Sequence, residues 1–168
     1  VGKSDGNPRF LKLVQGTYNL AAGTNGAPAS SADRNTVLIG SVESDGGKTG
    51  IEALDDDLLN ISIALIPGFQ ELQSTQNSLV TKAEGTQEFL ALGAPPYAVG
   101  KVQDAIEWHN GQGTDRTSAI NSSWAALYWP WVKVFSVFDG KDRWYDPTIY
   151  AARQMAVTDS VAEPWFAP

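Results

Sequence analysis

The chain has 168 residues, enough for one domain of ordinary size, and carries a formal net charge of −7. This acidic balance, without a clustered run of Lys and Arg, argues against nucleic acid as a partner. The absence of cysteine excludes disulfides and thiol chemistry, and no apolar run approaches the roughly 20 residues that span a bilayer, so no membrane insertion is expected.

The N-terminal part predicts a strand followed by a loop. Phe10–Tyr18 alternates apolar and polar residues well enough for a first strand, and Leu20–Ser31 is rich in Gly, Ala, Asn and Ser. This loop lacks the Lys-Ser/Thr ending of a phosphate-binding loop, so it does not predict a nucleotide site. We assign residues 1–35 to the leading strand and loop, and residues 36–168 to a core domain.

The next segment predicts a turn at Ser44–Lys48 and a short helical turn at Gly50–Leu54. Within Leu58–Gly68 the second part predicts a buried strand that ends at Pro-Gly. Between these elements lie three acidic residues, Asp55, Asp56 and Asp57. Consecutive side chains on an extended segment point to alternate sides, whereas a cation needs converging ligands, so a solvated acidic loop is favoured over a metal site.

Two predicted helices then alternate with short buried strands. Gln70–Glu84 has an apolar stripe and a stop at Gly85, and Phe89–Leu92 predicts a strand. A second amphipathic helix spans Val99–Trp108 and ends at Asn110-Gly111, and Gln112–Asn121 predicts a polar loop. Strand, helix, strand, helix and strand at this spacing indicate βαβ crossovers and a largely parallel sheet.

An aromatic stretch, Ser123–Phe135, holds three of the six Trp. Ala125–Tyr128 predicts a strand that is apolar on both faces and therefore central, and Pro130 is expected to interrupt pairing. Val132–Phe138 extends the apolar run, and Asp139–Asp142 predicts a turn. Taken alone, the stretch indicates the aromatic part of a hydrophobic core.

A third helix is predicted to open at Asp146-Pro147, and Thr158-Asp159 is expected to begin the last polar segment. The predicted fold class is α/β, with a largely parallel or mixed sheet flanked by helices in a layered sandwich.

Catalytic chemistry is not indicated. His109 is the only histidine and lies near a predicted helix end, while Ser122 and Ser123 are not held in a Gly-x-Ser-x-Gly elbow. No carboxylate pair is singled out by its spacing. We therefore predict no catalytic, cofactor-binding or metal-binding residue, and a protein that is not an enzyme.

Four collinear stretches carry a family resemblance. Ala125–Val134, Ala-Ala-Leu-Tyr-Trp-Pro-Trp-Val-Lys-Val, is the most specific, close to a family pattern A-A-L-Y-Y-P-W-x-K-V. The other stretches are Leu20–Gly26, Thr49–Leu54 together with Leu65–Gly68, and Ala156–Pro168. In this order they resemble the sheath proteins of contractile bacteriophage tails. The positions that carry the motif are Gly50, Pro67, Gly68, Trp124, Tyr128, Pro130, Trp131, Lys133, Thr158 and Asp159.

The resemblance implies a structural subunit that polymerises as stacked hexameric rings around a tail tube. Contraction of such a sheath drives the tube through the host envelope. The implied partners are further copies of the chain, the tube protein, and the baseplate and tail terminator components. The implied location is the virion tail, after assembly in the host cytoplasm. In this family, N- and C-terminal arms add strands to neighbouring subunits, and the chain resembles the core without those arms.

Charged side chains are the candidates for contacts between subunits: Asp55, Asp56, Asp57, Lys141 and Arg143. Two alternative functions stay open. One is the sheath of a related contractile injection system, a tailocin or a secretion-type machine. The other is a small α/β hydrolase or binding domain, which would have a liganded pocket at the carboxyl ends of its parallel strands.

Overall fold

The structure is a computed structural model that describes residues 30–56, 58–113 and 116–162. The predicted strand Phe10–Tyr18 and most of the loop after it lie outside the described residues. The helices are α1 (Ser31–Ile39), α2 (Gln73–Thr86), α3 (Val102–His109) and α4 (Pro147–Val161), with one 3₁₀ helix (Gly50–Asp55). The strands are β1 (Ile63–Leu65), β2 (Leu90–Gly93), β3 (Ala125–Leu127), β4 (Val132–Ser136) and β5 (Lys141–Tyr145).

A three-stranded parallel sheet in the order β1-β2-β3 confirms the α/β class. Ala64 is aligned with Ala91, and Ala91 with Ala125. The prediction that Ala125–Tyr128 is a central strand is wrong, because β3 lies at the edge of the described sheet and β2 lies at its centre. An apolar residue on both faces of a strand indicates that both faces are covered. It does not indicate how many neighbours pair with the strand.

The main core lies where α2 and the 3₁₀ helix pack against the parallel sheet. Six buried apolar side chains form it, and Trp124 packs against them from the aromatic stretch. The six are Ile51, Ala64, Leu79, Ala83, Phe89 and Ala91. The helical turn predicted at Gly50–Leu54 therefore supplies a core residue, since Ile51 is 4% exposed.

Two helix boundaries differ from the sequence prediction at their C-terminal ends. α2 does not end at Gly85 but continues to Thr86, and Gln87 adopts the left-handed conformation that closes it. Thr158 and Asp159 do not begin a polar segment, because α4 continues through them to Val161. Single Gly or polar residues are tolerated in a helix whose other face is packed, so neither forces a stop.

The N-terminal ends of α1 and α4 are closed by side chains. Ser30 and Asp33 form a reciprocal capping box before α1, a helix that was not predicted and that runs across the boundary placed at residue 35. The helix predicted at Asp146-Pro147 is confirmed, and the Asp146 carboxylate accepts from the Thr148 backbone N–H at 2.9 Å.

β4 and β5 form an antiparallel hairpin that is separate from the parallel sheet. Pro130 lies in the interruption between β3 and β4, as predicted. The turn occupies residues 137–140, so Lys141 and Asp142 lie on β5 rather than in the predicted turn. The expectation that Ser123–Phe135 belongs to the core holds for Trp124 but is wrong for Phe135, which is 59% exposed; Phe138, beyond the stretch, is fully exposed. β-branched and aromatic residues favour a strand whether its faces are buried by the same chain or by another one.

Candidate functional site

The base of the hairpin is fixed to the segment that follows β2. The Trp131 indole N–H donates to the Pro95 carbonyl at 2.9 Å, and the Trp129 indole N–H donates to the Val99 carbonyl at 2.8 Å. Tyr97 packs edge-on against Trp131, with ring centroids 5.5 Å apart, and against Trp144 at 5.8 Å. These contacts hold the hairpin in one orientation on the parallel-sheet unit.

Beyond its base, the hairpin exposes apolar side chains. Phe135 and Trp144 are about half exposed, Val137 is 86% exposed, and Phe138 is completely exposed. The hairpin has only two strands among the described residues, so the outer backbone edges of β4 and β5 have no ladder partner there. Large exposed apolar groups beside open strand edges mark a surface that binds another polypeptide.

Ion pairs on the hairpin account for most of its charges. Lys133 lies 3.1 Å from Asp142, and the Arg143 Nε donates to Asp139 at 2.6 Å. Hydrogen bonds from Ser136 and then from Arg143 hold the pKa of Asp139 below its usual value. Lys141 is exposed and has no carboxylate within ion-pair distance in the described part of the chain.

The acidic run begins at Asp55, the last residue of the 3₁₀ helix, and Asp55 departs from the predicted solvated loop. Asp55 lies 2.6 Å from the Lys48 ammonium and 3.2 Å from that of Lys82, which also contacts Glu52 at 2.6 Å. The hydrogen bond from Lys48 lowers the pKa of Asp55, and the hydrogen bond to Glu52 raises the pKa of Lys82. Asp55 thus links the 3₁₀ helix to α2 within the chain. Asp56 is exposed, and Asp57 lies outside the described residues.

Glycines of the motif occupy positions where other residues would not fit or would be strained. Gly50 has φ +58°, and a Cβ at that position would lie 2.5 Å from the Leu38 carbonyl oxygen. Gly68 has φ +82°, and its N–H donates to Asp146 at 3.2 Å. The Pro67-Gly68 turn after β1 therefore contacts the N-terminal end of α4, which joins a motif position to a distant part of the chain.

The remaining motif residues divide between interior and surface. Thr158 is buried on α4, and its carbonyl accepts from the Ala162 N–H at 2.8 Å. Tyr128 is half-buried after β3. Pro130, Lys133 and Asp159 are exposed, as are Gly50, Pro67 and Gly68. The motif thus contains both packing positions and exposed positions on several elements rather than a single chemical site.

A buried polar network links a guanidinium to a carboxylate through two glutamines. Arg116 donates to the side-chain oxygen of Gln76 at 2.9 Å, the Gln76 side-chain amide donates to the side-chain oxygen of Gln70 at 2.7 Å, and the Gln70 side-chain amide donates to Asp146. Arg116 also lies 4.8 Å from the centre of the Trp108 ring, and its burial lowers its pKa. The sequence did not indicate this network, because Arg116 falls in a stretch whose composition predicts an exposed polar loop.

The residues considered for catalysis make no hydrogen bond with one another within the described part of the chain. His109 is exposed, with its Nδ1 3.2 Å from the Asn110 side-chain oxygen, and the Ser122 hydroxyl accepts from the Trp124 N–H. Within residues 30–56, 58–113 and 116–162, no three His, Asp or Glu side chains converge on a metal position. None of the helices described is long and apolar enough to cross a bilayer.

Comparison with models of protein families and with curated proteins finds no match for this chain. The features that bear on function are therefore the sequence motifs and the surfaces of the chain. Among these, the hairpin is the feature with the strongest physical reason to bind another polypeptide.

Proposed function

We propose that the chain is a structural subunit of a contractile phage tail sheath, which polymerises as stacked six-fold rings around a tail tube. The observation that carries the proposal is the exposed apolar hairpin, β4–β5, whose first strand begins within the stretch with the most specific motif match. A monomer rarely leaves a Phe fully exposed next to a Val and beside open strand edges, whereas a subunit covers such groups with its neighbours.

The architecture suits the two demands on a sheath subunit. The parallel-sheet unit has a packed core and internal ion pairs, so it can move as a rigid body while contacts between copies change. The hairpin offers two open edges to which strands from neighbouring copies can add. A tube protein, a baseplate and a tail terminator are the further partners of the proposed assembly, and the virion tail is its location.

The experiment that tests this proposal is negative-stain electron microscopy of the intact gene product, expressed alone. Long hollow tubes with six-fold end views are expected, because a sheath subunit assembles with copies of itself. Monodisperse particles of monomer size at high concentration would contradict the proposal. The sheath of a related injection machine would give the same tubes, and the neighbouring genes would distinguish it from a phage sheath.

A further inference from the structure

The buried polar network runs from the loop before β3 to the junction between the hairpin and α4. Its four members are Arg116, Gln76, Gln70 and Asp146, and each of them is buried. Polar side chains held away from water are costly unless each one is paired, and a change in one member disturbs the next. The network therefore connects parts of the chain that are far apart in sequence.

The two ends of the network fix the orientation of the amides between them. A guanidinium can only donate hydrogen bonds and a carboxylate can only accept them, whereas a side-chain amide does both. Gln76 therefore turns its oxygen toward Arg116 and its NH2 group toward Gln70, and Gln70 turns its NH2 group toward Asp146. Without the donor at one end, the Gln76 oxygen loses its partner and both amides are free to rotate.

At its acidic end the network fixes the end of β5. Asp146 directly follows Tyr145, the last residue of β5. Its carboxylate accepts from the Gly68 N–H at 3.2 Å and from the Gln70 amide, and both donors lie in the segment after β1. The hairpin is thus joined to the parallel-sheet unit one residue beyond β5.

In its middle the network reaches the start of β4. The Gln76 amide also donates to the Ala94 carbonyl at 3.2 Å. The next carbonyl along the chain, that of Pro95, accepts from the indole of Trp131, the residue before β4. The orientation of Gln76 therefore affects the attachment of the other strand of the hairpin.

Arg116 is the member of the network that a loop supplies. It also donates to the Asn77 side-chain oxygen at 2.8 Å and to the Ser118 carbonyl at 3.2 Å. Within residues 30–56, 58–113 and 116–162, no carboxylate lies within ion-pair distance of it. Its charge is therefore met by amide and carbonyl dipoles, and the carboxylate at the far end of the network polarises those amides further.

We propose that Arg116 is a latch for the hairpin: through Gln76 and Gln70 it holds β4 and β5 in one orientation on the parallel-sheet unit. Arg116 is a positioning residue, because none of its hydrogen bonds in the described part of the chain reaches β4 or β5. Every member belongs to one chain, so the latch does not depend on the proposed assembly. For a hairpin that binds another polypeptide, a fixed orientation lowers the entropic cost of binding.

The latch is one of two attachments. The indole hydrogen bonds of Trp129 and Trp131 also hold the base of the hairpin. Loss of the latch is therefore expected to widen the range of hairpin orientations rather than to release the hairpin. The direct test is a measurement of that range.

The test measures the distance between the hairpin tip and the core in the intact gene product. Spin labels are attached at Val137→Cys in the turn and at Val37→Cys on α1, both of which are exposed, and these 168 residues contain no other cysteine. Double electron–electron resonance in dilute solution, where distances between copies do not contribute, gives the distribution of label distances. A single narrow distribution is expected for the otherwise unchanged protein.

Arg116→Met removes the donor and keeps a long side chain, and it is expected to broaden this distribution or to add a second distance. The matched control is Thr75→Val. Thr75 is completely buried next to Gln76 on α2, and its hydroxyl donates to Asn35 at 2.6 Å, outside the network. The control should leave the distribution narrow. An unchanged distribution in Arg116→Met, or equal broadening in Thr75→Val, would overturn the proposal.

Gln70→Met is the second variant and keeps the proposal testable if Arg116→Met does not fold. It interrupts the network in the middle and leaves the hydrogen bond from Arg116 to Gln76 in place. Amide hydrogen exchange in β4 and β5 should become about tenfold faster, as for one buried polar group left unpaired, and should not change in Thr75→Val. Equal exchange of the hairpin in Gln70→Met and wild type would overturn the latch.

Electron microscopy of the same proteins separates the two proposals. Tubes from the wild type, together with an unchanged distance distribution in the variants, would overturn the latch and leave the sheath proposal standing. Monomers with a broadened distribution in the variants would support the latch and count against the sheath.

Discussion

Phe89 and Phe138 show that two regions of this chain place the same type of side chain in opposite environments, one buried and one in solvent. Phe89 precedes β2 and is 1% exposed, in contact with the core formed by α2 and the parallel sheet. Phe138 lies at the tip of the hairpin and is completely exposed. The core of the parallel-sheet unit is covered by its own chain, whereas the apolar side chains at the hairpin tip lie in solvent.

One pattern of apolar residues can serve two purposes. β-branched and aromatic residues occur in both regions, and composition alone does not distinguish them. The difference lies in topology, because β2 has a strand on each side and is packed against α2 and α4, while the hairpin is attached mainly at its base.

Replacement of the two phenylalanines should have opposite consequences. Phe89→Ala is expected to lower the free energy of unfolding by about 3–5 kcal/mol, because it leaves a cavity in a packed core. Phe138→Ala should change it by no more than about 0.5 kcal/mol in the monomer. Urea unfolding of both variants measures the two changes in the free energy of unfolding. A loss of several kcal/mol from Phe138→Ala in dilute monomer would mean that the tip packs on its own chain.

Asp146 connects the parallel-sheet unit to α4. Asp146→Ala should lower the free energy of unfolding by about 2–4 kcal/mol, because it removes the N-terminal cap of α4 and leaves the Gly68 N–H and the Gln70 amide unpaired. Asp159→Ala, on the exposed side of the same helix, is the matched control and should be close to neutral. Equal effects of the two substitutions would show that the buried network does not stabilise the junction.

Trp131→Phe tests the attachment of the hairpin. The variant loses the hydrogen bond to the Pro95 carbonyl but keeps an aromatic ring beside Tyr97, so a loss of about 1 kcal/mol in the free energy of unfolding is expected. Amide hydrogen exchange should be faster in β4 and β5 and unchanged in β2. Faster exchange in both regions would show that the hairpin is not a separate unit.

The ion pairs of Asp55 predict a small dependence on pH. Because contacts with Lys48 and Lys82 hold the folded pKa of Asp55 below 3.8, its stabilisation is fully present above that value and is lost as pH falls through the folded pKa. Wild type should therefore be more stable than Asp55→Asn at neutral pH, and the difference should vanish in acid. Asp56→Asn serves as the control, because Asp56 is exposed. Thermal unfolding of the wild type and of both variants, from neutral to acidic pH, measures these differences in stability.

Sequence reasoning predicted most of the parallel-sheet unit because its signals are local. The Pro67-Gly68 stop, the Asn110-Gly111 stop and the Asp146-Pro147 start each depend on the backbone preferences of a few residues, and the structure has an element boundary close to each of them. The resulting order of strands and helices was sufficient to predict parallel pairing.

The wrong predictions concern features that are set by contacts between residues far apart in the chain. The edge position of β3, the burial of Arg116 and the exposure of Phe138 are set by which elements meet, and no short pattern encodes that. The exception is α1, which was not predicted although the Ser-x-x-Asp pattern of Ser30 and Asp33 is a local signal for the start of a helix.

If other copies cover the hairpin while the core of the parallel-sheet unit is covered by its own chain, protection of the hairpin must depend on protein concentration. Hydrogen exchange of the intact gene product, at the lowest and the highest concentration that the method allows, measures this dependence. Slower exchange in β4 and β5 is expected at high concentration, with equal protection of β2 at both concentrations. Equal exchange of the hairpin at the two concentrations would contradict the coverage of the hairpin by other copies.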